Sequence, residues 1–347
     1  MIFNKLHHAI VLFSFLLLMS CGQNKNDTKN YNYIFNQGEI FHTSYHIKYA
    51  YERSLEKEIL EEMERFDASL NPFKANSIIS KVNDNQDVEL DSFFTTVFNK
   101  SMEVSRKSEG KFDITASPLI NAWGFGFKNT DSVTPEIIDS LKQFVGYEKI
   151  SIGENGAIVK SDPRVQINTS AIAKGYSCDV VANVLKRHGI ENYMVEIGGE
   201  IAAKGLNDKG ECWHISIDKP LDDKSGTMHE LQTVLSICDK CMATSGNYRN
   251  YYVKDGKKYA HTIDPQTGYP SEQDILGATV IADDCMTADA YATAFMALGL
   301  EKSETLAKSI PGLFYYFIYK KPDETLSVAF SEGFEQFFAG KSNRLQP

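Results

Sequence analysis

The chain has 347 residues, 36 basic against 46 acidic, and a formal net charge of −10. That acidic balance argues against a nucleic-acid partner. The length suffices for a large core, in one domain or two lobes.

Residues 1–20 read as a signal peptide: Lys5 supplies the positive start, and Ala9 to Met19 is an apolar run too short to span a bilayer. Leu18-Met19-Ser20-Cys21 resembles a bacterial lipoprotein signal, which would leave Cys21 as the lipidated, palmitate-bearing N-terminus. Processing there removes one lysine and no acid, moving the net charge to −11. The polar, Asn/Lys-rich stretch that follows reads as a tether, giving a signal peptide at 1–20, a tether at 21–34 and a domain at 35–347. The expected product is exported and lipid-anchored to a bacterial membrane, inner or outer, facing the periplasm. Beyond Cys21 five cysteines remain, an odd number; Cys238-Asp239-Lys240-Cys241 has no partners spaced for zinc and reads as structural, as a small disulfide or two buried thiols.

Phe41 to Tyr49 alternates like a strand, and Leu55, Ile59, Met63 and Phe66 mark one face of an acidic helix broken at Asn71-Pro72. A second helix carries Phe94, Val97, Phe98 and Met102 and stops before Gly110. Thr134-Pro135 is a cap followed by a first-turn proline. Asn155-Gly156 between two apolar triplets predicts a hairpin.

The pivotal stretch is Val165 to Tyr176, QINTSAIAKGY in its body. Val165 and Ile167 predict a short strand; Asn168, Thr169 and Ser170 are capping types; Tyr176, Val180, Val181, Val184 and Leu185 continue as a helix ending near His188 with Gly189 left-handed. The stretch lacks the P-loop glycines, the Ser-x-x-Lys spacing and the dinucleotide fingerprint. A strand broken by Gly198-Gly199 follows, then strands around Trp213 and from Leu231 to Ile237. Asp264-Pro265-Gln266-Thr267-Gly268 predicts a turn, and Gly277 to Ile281 a strand. Asp289 to Leu298 is a small-residue helix with Asp289 and Thr293 on one face, an oxygen pair suited to Mg²⁺ or Ca²⁺; a dipole-stabilising Asp289 is the plainer alternative. His261 reads by itself as a hydrogen-bonded structural residue at a strand end, and Ser245 sits in no nucleophile elbow. Strands mixed with helices and frequent hairpins predict an α+β fold with mostly antiparallel sheet.

These segments, in this order, resemble the FAD:protein FMN transferases, the ApbE flavin transferases. The resemblance rests on Thr43 to Ile47, Gly110 to Thr115 with Trp123 to Gly126, Ser170 to Tyr176, Glu196 to Gly199-Glu200, Ala243 to Gly246, His261 to Gly268, and Asp289 with Thr293. It implies an α+β architecture holding FAD in a cleft between two lobes. Asp289, Thr293 and the Ala171 carbonyl would bind Mg²⁺. Lys174, Asn168, Phe41, Phe73, Ile263 and Lys111-Phe112-Asp113 would contact FAD. Three positions depart from the family pattern: Asn168 stands where Asp is common, His42 where Gly is common, and Phe73 where Tyr is frequent. The implied reaction moves FMN from FAD to a Ser or Thr hydroxyl of an acceptor protein, releasing AMP, with His261 or Asp264 taking the proton. Hydrolysis of FAD to FMN and AMP would use the same site. A flavin-storing lipoprotein without catalysis is the non-enzymatic alternative.

Overall fold

The computed structural model describes residues 32–125, 133–220, 230–247, 251–254 and 257–340, so Cys21 and Gly126 lie outside the described residues. Tyr33–Pro347 cluster as one unit. Its spine is an eight-stranded sheet, antiparallel throughout. In spatial order the strands are β1 (Tyr33–Ile40), β2 (Thr43–Ala50), β5 (Tyr193–Ile197), β6 (Glu200–Lys204), β9 (Lys240–Gly246), β12 (Ile275–Ala282), β13 (Phe314–Lys320) and β14 (Leu326–Phe330). β1 begins at Tyr33, so the last two residues assigned to the tether belong to the sheet.

Period-two patterning decides which layer each side chain joins. In β13, Tyr315 and Phe317 pack with the helices, while Tyr316 and Ile318 point into the opposite layer. That opposite layer is the hairpin β7 (Trp213–Asp218) with β8 (Leu231–Ile237), together with Phe334 and Phe337. A disulfide joins Cys212 to Cys238 across the open end of this hairpin. Cys238 therefore does not pair with Cys241, which is a buried free thiol like Cys178 and Cys285.

On the helical face lie α1 (Glu56–Leu70), α2 (Ile78–Asn83), α3 (Ser92–Lys107), α6 (Ala173–Arg187) and α7 (Cys285–Leu298). The predicted apolar faces hold: Ile59, Met63 and Phe66 of α1, and Phe94, Val97 and Phe98 of α3, are buried. Helix α7, mostly small and apolar, is buried on nearly every side and starts four residues ahead of Asp289, capped by Asp284. A smaller core joins α4 (Ser117–Ala122) and α5 (Pro135–Lys142) to the turn after Ile263 through Leu119, Ile138 and Val145. The β3 (Ile150–Ile152) and β4 (Ile158–Lys160) hairpin forms as Asn155-Gly156 predicts. β10 (Tyr251–Lys254) and β11 (Lys257–Ala260) make another. Among the described residues no helix is long and apolar enough to cross a membrane.

Three local expectations change. Val165 to Ile167 is irregular chain and not a strand, held by the Asn83 side chain, which accepts from Ile167 N–H at 2.7 Å and donates to its carbonyl at 2.9 Å. The Gly198-Gly199 pair does not bulge one strand: it is the two-residue turn between β5 and β6, with φ of 60° and 99°. Phe41 and His42 are not strand either. They turn β1 into β2 with φ of 52° and 60°, positive at both central residues as a primed hairpin turn requires.

Candidate active site

The cleft begins where α6 meets α7. Helix α6 starts at Ala173, without a side-chain cap. Asn168 does not cap it; its side-chain oxygen Oδ1 accepts from Ser170 N–H at 2.9 Å and from the Ser170 hydroxyl at 2.6 Å, closing a local turn. The ladder of α6 opens with Tyr176 N–H to Ile172 C=O at 3.1 Å. One residue earlier, Gly175 N–H donates instead to Asp289 Oδ2 at 2.8 Å. The Ala171 carbonyl is thereby left without the Gly175 N–H, and Ala171 lines the cleft together with Asp289.

Gly175 is what lets this happen. A Cβ there would stand 2.3 Å from the Cys285 carbonyl oxygen and 2.6 Å from Asp289 Cβ, so only glycine permits the helices to approach this closely. At its C-terminal end α6 closes as predicted, with Gly189 at φ 70°.

Asp289 is 4% exposed and Glu200 3%. Glu200, at the start of β6, takes the Lys174 ammonium on Oε1 at 2.7 Å, and its Oε2 has no hydrogen-bond partner. Burial pushes the Asp289 carboxyl above the usual carboxylate range, opposed by Lys174 and the Gly175 N–H. Burial, then Asp289, raises Glu200 likewise, with Lys174 opposing. Burial would lower Lys174, yet Glu200 and Asp289 lift it above an ordinary lysine. Thr293, one turn after Asp289, shares a hydroxyl hydrogen bond with Ser245 of β9 at 3.2 Å. Ala171, Asp289 and Thr293, the predicted metal set, thus line one cleft. A carboxylate, a hydroxyl and a released carbonyl form a hard-oxygen donor set that fits Mg²⁺, and the orphaned Glu200 oxygen adds negative potential.

The cleft, open to solvent, has a volume of about 490 Å³, within the roughly 300–1,000 Å³ of small-ligand pockets. Lys111, Phe112, Asp113, Asn168, Lys174, His261 and Ile263 line it with the metal set. An adjoining hollow is lined by Phe41, His42, Phe66 and Leu70, and Phe73, Ser170 and Lys174 border both. The structure therefore brings every sequence-predicted cleft residue to one continuous surface, but not all in the expected manner. Asp113 accepts from Thr115 N–H and hydroxyl, both at 2.7 Å, and from Tyr147 N–H at 2.8 Å, so its carboxylate shapes the loop. Burial raises it to about 6, those hydrogen bonds opposing. Lys111 is ion-paired with Asp264 at 2.6 Å, and Asp264 also accepts from Gln266 N–H at 3.0 Å. Asp264 is thus committed to the Asp-Pro turn, while His261, whose ring centroid is 6.4 Å from that of Phe125 in a T-shaped pair, lines the same cleft. Phe73 is 63% exposed, its ring 5.8 Å from His42.

Glu200 and Ser245 stood inside motifs quoted from the sequence but were assigned no role there. The signal for Glu200 was its place directly after a Gly-Gly hairpin turn, facing a lysine whose location only the fold reveals.

Residues 41–317 match the sequence profile described as the ApbE family. The chain is 35% identical over 343 residues to a protein of Vibrio cholerae serotype O1 named FAD:protein FMN transferase, covering 95% of this chain and 98% of the relative. It is 32% identical to the Escherichia coli K12 protein of the same name, over 83% of each. Among solved structures, the flavin transferase ApbE of Vibrio cholerae superposes with a TM-score of 0.79 at 33% identity, covering 89% of this chain and all of that one. The Pseudomonas stutzeri flavinyl transferase ApbE, in its apo form, gives 0.79 at 28%, over 89% and 98%.

Proposed function

This chain belongs to the ApbE family, and from that premise we propose that it is an FAD:protein FMN transferase. It carries FMN from FAD to a Ser or Thr hydroxyl of an acceptor protein as a phosphoester, and releases AMP. The observation that supports this best is the helix crossing at Gly175, where the Gly175 N–H is taken by the buried Asp289 carboxylate on a cleft that Ala171 and Thr293 also line. Asp289, Thr293 and the Ala171 carbonyl would hold Mg²⁺, which when bound neutralises the diphosphate and stabilises the departing phosphate.

The chain's own residues do the rest. Lys174 brings a charge that its surroundings keep protonated to the same anionic group. Phe73 and Phe41 offer ring surface to the flat parts of FAD. The acceptor hydroxyl enters from the open side, and His261 takes its proton as the oxygen attacks the phosphorus in line with the leaving AMP. Asn168 keeps a polar group at the position where an acid is common, without its charge. The acceptor segment displaces water from the open face, so transfer outruns hydrolysis only when the segment is docked.

The same reading makes this an exported lipoprotein anchored through Cys21, modifying membrane-bound acceptors. The Cys212–Cys238 disulfide is consistent with an oxidising compartment. Cys21→Ala should release the protein from membranes or leave it unprocessed; fractionation identical to wild type rejects the anchor.

The deciding experiment is mass spectrometry of products from FAD, Mg²⁺ and exported flavoprotein acceptors. Slow AMP release without acceptor, fast release with it, and an FMN adduct on its Ser or Thr are expected. AMP release unmoved by any acceptor, with all FMN free, makes the enzyme a hydrolase of FAD.

A further inference from the structure

Glu200 stands outside the predicted site, yet it is buried on the cleft as deeply as Asp289. Its location is built by three features. The turn Gly198-Gly199 brings the start of β6 under α6, with Gly199 N–H donating to Glu196 Oε1 at 2.7 Å. A Cβ on Gly198 would press on Lys174 Cδ at 3.4 Å and on Thr43 at 2.9 Å, so the turn forms a saddle along the lysine stem. The Cys178 thiol then donates to the Glu200 carbonyl at 3.2 Å, fixing the backbone of the same residue. The result is one carboxylate oxygen on Lys174 and another, buried and unpartnered, on a cleft wall shared with Asp289. An isolated buried acid oxygen is unfavourable unless a positive charge comes to it.

We propose that Glu200 is a positioning residue that seats Lys174 as an internal counter-ion of the cation site. The Lys174 ammonium offsets Glu200 and Asp289 while the cleft is empty and opposes entry of a divalent cation by itself. A diphosphate drawn to the ammonium removes that opposition, so cation and substrate enter together. Coupling of this kind is reciprocal: each ligand tightens the other by the same factor. The inference rests on the flavin-transfer reading for the identity of the diphosphate, but the electrostatics concern only this chain's charges.

The test is calorimetric titration of the purified full chain with Mg²⁺ alone, then with ADP present as a diphosphate without flavin. Four proteins are compared: wild type, Lys174→Met, Glu200→Gln and the double variant. If the pair acts as one neutral unit, affinity for Mg²⁺ alone follows the local charge. Lys174→Met should bind it about tenfold more tightly than wild type, and Glu200→Gln about tenfold more weakly. The double variant should return to the wild-type value, and ADP should tighten Mg²⁺ binding less in both Lys174→Met proteins. Lys174→Met strands a buried carboxylate and can fail to fold. In that case the step down in Glu200→Gln and the recovery in the double variant, whose neutral pair removes the stranded charge, decide the matter. Equal Mg²⁺ affinities across the set, a weaker Lys174→Met, or a double variant as weak as Glu200→Gln each overturn the proposal. A flat set of affinities with FMN transfer intact removes the counter-ion role and leaves the transferase reading standing. The ordered affinities in a protein that transfers no FMN do the reverse.

Discussion

On the floor of the cleft, Asp289 and Glu200 are almost wholly buried, and their carboxylates are fixed by a backbone N–H and a lysine. On its rim, Phe73 is 63% exposed and touches His42 ring to edge. The floor is rigid because two helices and a hairpin turn over-determine each atom. The rim has only side-chain surface to offer, from the loop after α1 and the tight turn between β1 and β2. The contrast predicts that floor substitutions act on metal binding, and on folding where they disturb the helix crossing, whereas rim substitutions act chiefly on substrate affinity.

Gly175→Ala should have the largest effect. The added methyl meets a backbone oxygen at 2.3 Å, which no rotamer change relieves, so α6 and α7 must part. A loss of about 3 kcal/mol in unfolding free energy is expected, with weaker Mg²⁺ binding in whatever folds. Denaturant melts with the wild-type midpoint would show that the crossing is not as tight as drawn. Asp289→Asn comes next and separates the two consequences. The amide oxygen can still accept from Gly175 N–H, so the fold should survive, while loss of the charge weakens Mg²⁺ by about two orders of magnitude. Transfer activity should collapse at low Mg²⁺ and partly recover at high Mg²⁺. Undiminished wild-type activity in excess chelator would remove metal from the reaction.

The floor was the harder half to read from sequence. Its residue types were visible: Asp289 and Thr293 at helical spacing, and Lys174 after a run of small residues. Their mutual placement was not, because the contacts Gly175–Asp289 and Lys174–Glu200 join segments that are distant in the chain and leave no local pattern. Gly175 looked like a lone glycine with no motif around it, and its purpose is a crossing that periodicity cannot express. The helices with clear apolar faces, α1, α3 and α6, were legible because one buried stripe is a local property. Helix α2, only six residues long, was not read, and neither was the pairing of Cys238 with Cys212. A Cys-x-x-C spacing draws the eye to Cys241, but a hairpin's register makes the residues just outside β7 and β8 neighbours.

Rim substitutions should be milder. Phe73→Ala removes an exposed ring, so melting should not move. The KM for FAD should rise about fivefold, the equivalent of a single ring contact near 1 kcal/mol, with kcat unchanged. A fall in kcat with KM constant would assign Phe73 to the reacting geometry and blur the division between floor and rim.

The smallest effect is expected at His42, and its sign carries the information. The turn from β1 to β2 uses φ of 52° and 60° at Phe41 and His42, a region that side chains with a Cβ enter at about 1–2 kcal/mol per residue. The equivalent turn between β5 and β6 uses two glycines and avoids that strain. This is why the β1–β2 hairpin was missed in the sequence: its turn lacks the glycine that announces one. The strain at His42 has a counterpart, the ring contact with Phe73 over the mouth of the adjoining hollow. His42→Gly removes both. Relief of strain should stabilise the protein, less about 0.5–1 kcal/mol for the greater freedom of glycine in the unfolded chain, so a net gain below about 1 kcal/mol is expected. FAD affinity should fall by a smaller factor than in Phe73→Ala, since Phe73 keeps its ring but loses its neighbour. A double-mutant cycle between the two positions then measures the contact directly. If His42→Gly destabilises the fold instead, the imidazole holds the turn through more than the Phe73 ring, and the rim is as constrained as the floor.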